Sequence, residues 1–354
     1  MSEVETIQEI AFKLMLEQNK NDKILNGTTE KTIFVLGSKG VGKSTMINNF
    51  LDKNEPLRTT PTLAIEYSYA KRTNSNGQSN QKLIGNIWEL GSLANSNQLI
   101  DVPIKSHGSL ENFSAVIMLN LAEPDKISLD LEAALQGLKN SFSNNFNDSE
   151  IRQFREKIIE NEAYKNHPDI QTLEIMPCQV VILGGMYDQF ENLNSEIKRH
   201  VIKFLRSISH TIGSSLIFYS SKIPSLAKTV RDIMSKLAFN SPLNPIRIQR
   251  IDYNEPIMIN ALSDTWEKIG VMPSNSERIS IHYNTQIKQN KKTNDNSLKE
   301  VVTNPTNDVN FREAIIDDLR AMKDEELLRL IKHSDVKIKF DSFNLTNSPF
   351  NYLN

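Results

Sequence analysis

The chain has 354 residues, 38% of them hydrophobic, enough to bury a sizeable core in one large domain with extensions or in two smaller ones. Its 43 acidic and 41 basic residues leave a formal charge of -2, which argues against a general nucleic-acid binder, since that role needs a basic excess. The one cysteine, Cys178, rules out an internal disulfide and a cysteine zinc cluster, and it suits a reducing compartment.

The first ten residues, MSEVETIQEI, are acidic and lack the basic-then-apolar order of a signal peptide. No apolar run approaches the roughly 20 residues that cross a bilayer, so direct membrane insertion is not expected. From Val4 to Gln18, apolar residues (Ile7, Ile10, Ala11, Leu14) recur at helical spacing. Residues 1–30 are therefore expected to carry an amphipathic helix, which either closes the core or meets a partner.

Thr32 to Leu36 is a nearly all-apolar run, as a buried central strand requires. A glycine-rich turn and a helix from Lys43 to about Leu51 follow. Leu63 to Tyr69 and Leu83 to Leu90 read as two strands joined by a polar loop, an antiparallel hairpin. Ala115 to Leu121 and Val180 to Leu183 are further buried strands. Between them lie helical patterns over about Ile127 to Leu138 and Ser149 to Tyr164, separated by an Asn/Ser/Phe loop. Cys178, beside Pro177 at the start of the second run, reads as packing. A helix over about Leu193 to Ile212 stops at Gly213, a strand spans Ser215 to Tyr219, and Leu226, Val230, Ile233 and Leu237 mark a closing helix.

This order predicts an α/β fold: a doubly wound, mostly parallel six-stranded sheet with one antiparallel strand, over residues 31–275. A short strand at Ile257 to Ile259 is expected to add to its edge. Residues 276–309, rich in Asn, Lys and Thr, are expected to be a flexible linker. Residues 310–335 read as a charged helix with Phe311, Ile315, Leu319 and Met322 on one side, and 336–354 as a disordered tail.

Gly37-Ser38-Lys39-Gly40-Val41-Gly42-Lys43-Ser44 fits G-x-x-x-x-G-K-[ST] at every fixed position, directly after a buried strand and opening a helix. Glycines let successive amides turn inward on a phosphate, and the helix adds its positive end. The cradle extends to Thr45, Lys43 can reach the β and γ phosphates, and Ser44 can ligate magnesium. A small-GTPase-like P-loop domain is the expectation.

The segment Thr62-Leu63-Ala64-Ile65-Glu66 resembles switch I of small GTPases, where a threonine completes the magnesium shell. Thr62 is the candidate, with Thr59 and Thr60 close enough to compete. Trp88-Glu89-Leu90-Gly91 stands where small GTPases carry D-x-x-G. Glu89 then takes the metal-side acid position, unless the alignment is offset by one, and the Gly91 amide would meet the γ-phosphate. Ser92 follows, where a hydrolytic member carries the glutamine that orients water, so hydrolysis is expected to be very slow; Gln98 is a distant substitute. Gly185-Met186-Tyr187-Asp188 keeps only the aspartate of N-K-x-D, and Asp188 reads either as a guanine contact or as a helix cap. Ser220-Ser221-Lys222 is close to S-A-K, placing Ser221 and Lys222 on the base side.

The intact P-loop, the T-L-A-I-E-Y-S-Y strand, W-E-L-G in place of D-x-x-G and the degraded base motif ending Y-D together resemble the light intermediate chain family of cytoplasmic dynein. The resemblance runs from about Val4 to Ile331, and the short C-terminus resembles the form serving cytoplasmic dynein 2. It implies a non-catalytic subunit that binds and stabilises the motor heavy-chain tail alongside other dynein subunits. It also implies a role with the intraflagellar transport machinery in retrograde transport and cilium assembly, and residence in the cytoplasm, the cytoskeleton and the ciliary axoneme and basal body. The P-loop would hold GTP or GDP with Mg2+ as a structural element. The alternatives are a dynein 1 subunit in organelle transport and a working GTPase switch.

Overall fold

Short apolar runs become central strands where helices cover both faces of a sheet. The computed structural model describes residues 29–52, 61–76, 79–94, 97–107, 109–160, 165, 167–240, 246, 248–289 and 313–333. The first apolar run forms β1 (Thr29–Gly37), whose Ile33, Phe34, Val35 and Leu36 are fully buried. The motif turn leads into α1 (Lys43–Phe50). The hairpin is longer than its apolar stretches, with β2 (Ile65–Asn76) antiparallel to β3 (Ser79–Leu90). Next come α2 (Asn97–His107) and β4 (Phe113–Asn120).

Two helices follow, α3 (Pro124–Asn145) and α4 (Asp148–Ile159). The expected Asn/Ser/Phe loop is largely helix, because Ser141 and Phe142 are buried on the inner face of α3 and extend its apolar stripe. β5 (Gln179–Gly185) leads through the single turn α5 (Tyr187–Phe190) to α6 (Ser195–Ile212). Gly213 ends α6 with φ 70, the left-handed conformation that glycine adopts without a side-chain penalty. β6 (Ser215–Phe218), α7 (Pro224–Phe239), β7 (Met258–Ile259) and α8 (Trp266–Ile269) follow.

The strands run β2-β3-β1-β4-β5-β6-β7 across one sheet. β3, β1, β4, β5 and β6 are mutually parallel, while β2 and β7 pair antiparallel with their neighbours. The doubly wound α/β class stands, with seven strands in place of six, because the short strand expected near Ile257 pairs with β6 and adds a second antiparallel edge. Met258 also exchanges both backbone hydrogen bonds with Arg250, at 3.0 Å each. Helices α1 and α7 pack on each other, and α7 lies on β1 and β3; α2 and α3 form a second pair, with α3 on β1 and β4.

Residues 276–289 are not linker. α9 (Ser276–Gln286) packs on α6, and Tyr283 stacks on Phe204 with ring centroids 4.2 Å apart. The Tyr283 hydroxyl donates to the carbonyl of Pro124 at 2.8 Å, so one residue of a polar helix ties α9 to both α6 and the start of α3. Arg206 of α6 makes a bidentate ion pair with Asp264, 2.8 Å at both contacts and almost wholly buried. Asp169 accepts hydrogen bonds from His210 and from the Trp266 amide, both at 3.0 Å, while His167 Nε2 lies 3.0 Å from the Asp264 carbonyl. These contacts fasten the segment after β7 to α6.

A separate unit carries α10 (Ala314–His333), with Ile315, Leu319 and Met322 exposed and Arg329–Glu325 and Lys323–Glu326 ion pairs along it. Phe311, the expected N-terminal helix, residues 290–312 and the tail beyond His333 lie outside the described residues. No helix among the described residues is long and apolar enough to cross a membrane.

Candidate nucleotide site

The site begins where β1 must reverse into α1 within five residues. Gly37, Gly40 and Gly42 take φ 150, 78 and 100, values L side chains rarely adopt. A Cβ on Gly37 would stand 2.3 Å from the Met118 carbonyl oxygen, so the loop seats directly on β4. Lys39 and Gly40 are exposed at the tip, and Val41 is buried beneath it. Thr45 is exposed in the first turn of α1.

Lys43 is only 4% exposed. Its ammonium donates to the carbonyls of Gly37 at 2.8 Å, Ser38 at 2.7 Å and Gly91 at 3.2 Å, bracing the loop against the end of β3. Burial pushes its pKa down to about 8, partly offset by the nearby carboxylates of Glu89 and Asp130. Burial in turn raises the Glu89 carboxyl above the ordinary range, opposed by the Ser44 hydrogen bond and by Lys43.

Ser44 Oγ donates to Glu89 Oε1 at 2.7 Å. Thr62 Oγ1 lies against both Glu89 and Glu66, donating to Glu66 Oε2 at 3.1 Å. Ser44, Thr62 and Glu89 thus form a set of oxygen donors only, the chemistry a hard divalent cation takes. Thr59 and Thr60 lie outside the described residues.

The Gly91 amide, expected to meet a γ-phosphate, is engaged within the chain. Its N–H donates to the Ala64 carbonyl at 2.8 Å, and a Cβ there would meet the Thr62 carbonyl oxygen at 2.4 Å. The switch-like segment therefore continues the β2–β3 ladder and covers the turn after β3. Ser92 uses its hydroxyl to accept the Ala94 amide, and Gln98 is exposed on α2.

On the base side, Asp188 in α5 accepts from Ser220 Oγ at 2.8 Å and from Lys222 Nζ at 2.6 Å. Those two hydrogen bonds hold its carboxyl below the usual range. Ser220, rather than Ser221, is the hydroxyl brought to Asp188; Ser221 is exposed. Gly185 and Met186 stand in the positions of the missing asparagine and lysine, Met186 with φ 58, and the following Tyr187 is buried against Phe190 and Phe218. Cys178 is free and buried, its thiol pushed up to about 12, as a packing residue should be.

Sequence reasoning missed Asp130. This carboxyl, raised above its ordinary range by burial, reaches from α3 to hydrogen-bond Ser38 of the loop. Its helical setting gave no signal, since an aspartate there resembles any solvated residue. Also missed was the cluster of His167, Asp169 and His210, whose potential ligand atoms lie within 4.8 Å of one another. His167 and Asp169 are already engaged with Asp264, Trp266 and His210, and the cluster acts as a fastening.

No protein-family model matches the chain. It is 33% identical over 340 residues to cytoplasmic dynein 2 light intermediate chain 1 of Bos taurus, covering 91% of this chain and 94% of that protein. The Homo sapiens protein of the same name is 32% identical over the same shares, and that of Danio rerio 28% identical over 88% of each. Among solved structures, the crystal structure of the dynein light intermediate chain's conserved domain matches with a TM-score of 0.54 and 18% identity, over 73% of this chain and 91% of that one. At that identity the likeness is one of fold.

Proposed function

The chain belongs to the cytoplasmic dynein 2 light intermediate chain family, and from that premise we propose that it is a non-catalytic motor subunit that binds and stabilises the heavy-chain tail. In this reading it serves retrograde intraflagellar transport and cilium assembly, and it resides at the axoneme and basal body. The P-loop holds GDP or GTP as a fixed part of the body. Gly37 to Thr45 would cradle the phosphates, with Asp188 and Lys222 on the base side. Mg2+, held by Ser44, Glu89 and Thr62, would supply positive charge to the phosphates.

One observation carries the non-catalytic half. The Gly91 amide, which a switch must free to sense a γ-phosphate, is committed to Ala64, and no glutamine follows it. Affinity purification of the tagged chain from ciliated cells tests the whole reading. The expected result is a stoichiometric dynein 2 heavy chain, released guanine nucleotide and no turnover above background. Rapid GTP hydrolysis would overturn the non-catalytic assignment, and a cytoplasmic, organelle-associated chain with a dynein 1 heavy chain would overturn the ciliary one.

A further inference from the structure

A groove of about 270 Å3 runs between α6 and α9, away from the phosphate loop. Its floor is the stacked pair Phe204 and Tyr283, both recessed and buried. Met272 stands at its lip, 84% exposed. His200 and Lys203 from α6 and Arg278 and His282 from α9 line its sides, and no acidic residue does.

On α6, residues 200, 203, 204 and 207 share one face, and on α9, residues 278, 279, 282, 283 and 286 do the same, so the groove follows each helix for about two turns, roughly 10–12 Å. Among the described residues, none of the four basic side chains has a side-chain hydrogen bond or ion pair, whereas Arg206, Lys222 and Arg231 are each matched to a carboxylate. A slightly acidic chain thus sets the unmatched charges of Lys203 and Arg278 beside one apolar slot.

We infer that this groove is a docking site for an acidic amphipathic helix of another chain. An apolar ridge two turns long would fill the slot over Phe204 and Tyr283, and flanking Asp or Glu side chains would meet Lys203 and Arg278. The depth of the two rings selects a protruding ridge over a flat anionic bilayer, which would touch the rim and leave the floor empty. The inference rests on the proposed function only in taking the partner to be a subunit of the same motor.

Three binding measurements on the full chain test it, with a peptide, with the heavy-chain tail and with lipid vesicles. A fluorescein-labelled peptide of about 18 residues, with leucine and glutamate at helical spacing, serves as the probe in anisotropy titrations. Wild type is expected to bind it, with affinity falling as salt rises. The double variant Lys203→Glu/Arg278→Glu and the single variant Met272→Asp should each lose about ten-fold or more while keeping the wild-type melting temperature. The same variants are then assayed for co-purification with the heavy-chain tail, where the same loss is expected.

A probe that fails to bind, or binds the variants as well as wild type, overturns the groove. Binding to vesicles of phosphatidylserine and phosphatidylcholine that exceeds peptide binding and is lost in the same variants overturns the choice of a helix. A wild-type chain that binds the probe but no heavy chain refutes the functional reading and leaves the groove standing. Heavy-chain binding unaffected by the variants removes the groove from the motor contact.

Discussion

The amide of Gly91 donates to the carbonyl of Ala64 at 2.8 Å, joining the turn after β3 to the segment before β2. In a working switch these two segments separate and close as the γ-phosphate leaves and returns. Here a main-chain hydrogen bond of the sheet ladder joins them, and breaking it would leave two polar groups to be re-paired. The purified chain is therefore expected to bind GTP no more tightly than GDP and to turn over GTP at the uncatalysed rate. Calorimetry with each nucleotide and a stoichiometric hydrolysis assay check this, and a clear GTP preference would contradict it.

Lys43 makes the bare fold sensitive to alkaline pH in a defined direction. In the folded chain it loses its proton near pH 8, whereas in the unfolded chain it keeps it to about 10.5. Between those values the unfolded state holds more protons, so folding stability rises with pH across the window and is flat with respect to this group below it. The full effect is about 3 kcal/mol. Urea denaturation of wild type and Lys43→Met across this range, without nucleotide, should show the gap between them shifting in favour of wild type as pH rises. Lys43→Met should also abolish phosphate binding, since the reaching cation is gone.

Two glycines of one loop should respond differently to the same change. Gly37→Ala places a methyl 2.3 Å from the Met118 carbonyl oxygen, against a central strand that cannot retreat. Gly40→Ala meets nothing within 4 Å and carries only the cost of φ 78, about 1–2 kcal/mol. Expression and circular dichroism should find Gly37→Ala unfolded or aggregated and Gly40→Ala folded. Similar melting temperatures for the two would show that the loop does not seat on β4 as described.

The glycine-rich turn between β1 and α1 and the parallel strands were legible because they depend on local chemistry. Glycine spacing and all-apolar runs mean the same thing wherever they occur. The extent of β2 and β3 was not, because Asn74 to Asn80 reads as loop, yet Asn74, Ser75 and Asn76 pair with Gln81, Asn80 and Ser79 across the ladder. α2 escaped notice because it contains Pro103 and is flanked by Asn and Ser. α9 was assigned to a linker because it has a weak apolar face; its place is fixed by Tyr283 meeting Phe204, a contact between residues far apart in sequence. In the site, Ser44 and Glu89 could be paired through their motifs, whereas Asp130 on Ser38 and Ala64 on Gly91 exist only through tertiary placement.

Arg206 and Asp264 supply a stability test remote from any ligand. Both side chains are 6% exposed, so removing one leaves a buried charge without its counterion. Arg206→Ala or Asp264→Asn should each cost about 3–5 kcal/mol in denaturant unfolding. The paired replacement Arg206→Met/Asp264→Leu should cost markedly less than the sum of the single changes, because it strands no charge. Additive losses would mean the pair is not coupled in the fold.

The two-residue strand β7 has a further consequence for how the molecule behaves in a crowded solution. Open sheet borders recruit foreign strands and seed aggregation. At the β6 border that hazard is closed off, because Met258 pairs with Ile217 on one side and exchanges its main-chain bonds with Arg250 on the other. The opposite border, β2, is long, but it carries Lys71 and Arg72, whose charge discourages an incoming strand. One flank is thus sealed by geometry and the other guarded by electrostatics, so a wide sheet presents neither border as a ready template for a foreign strand.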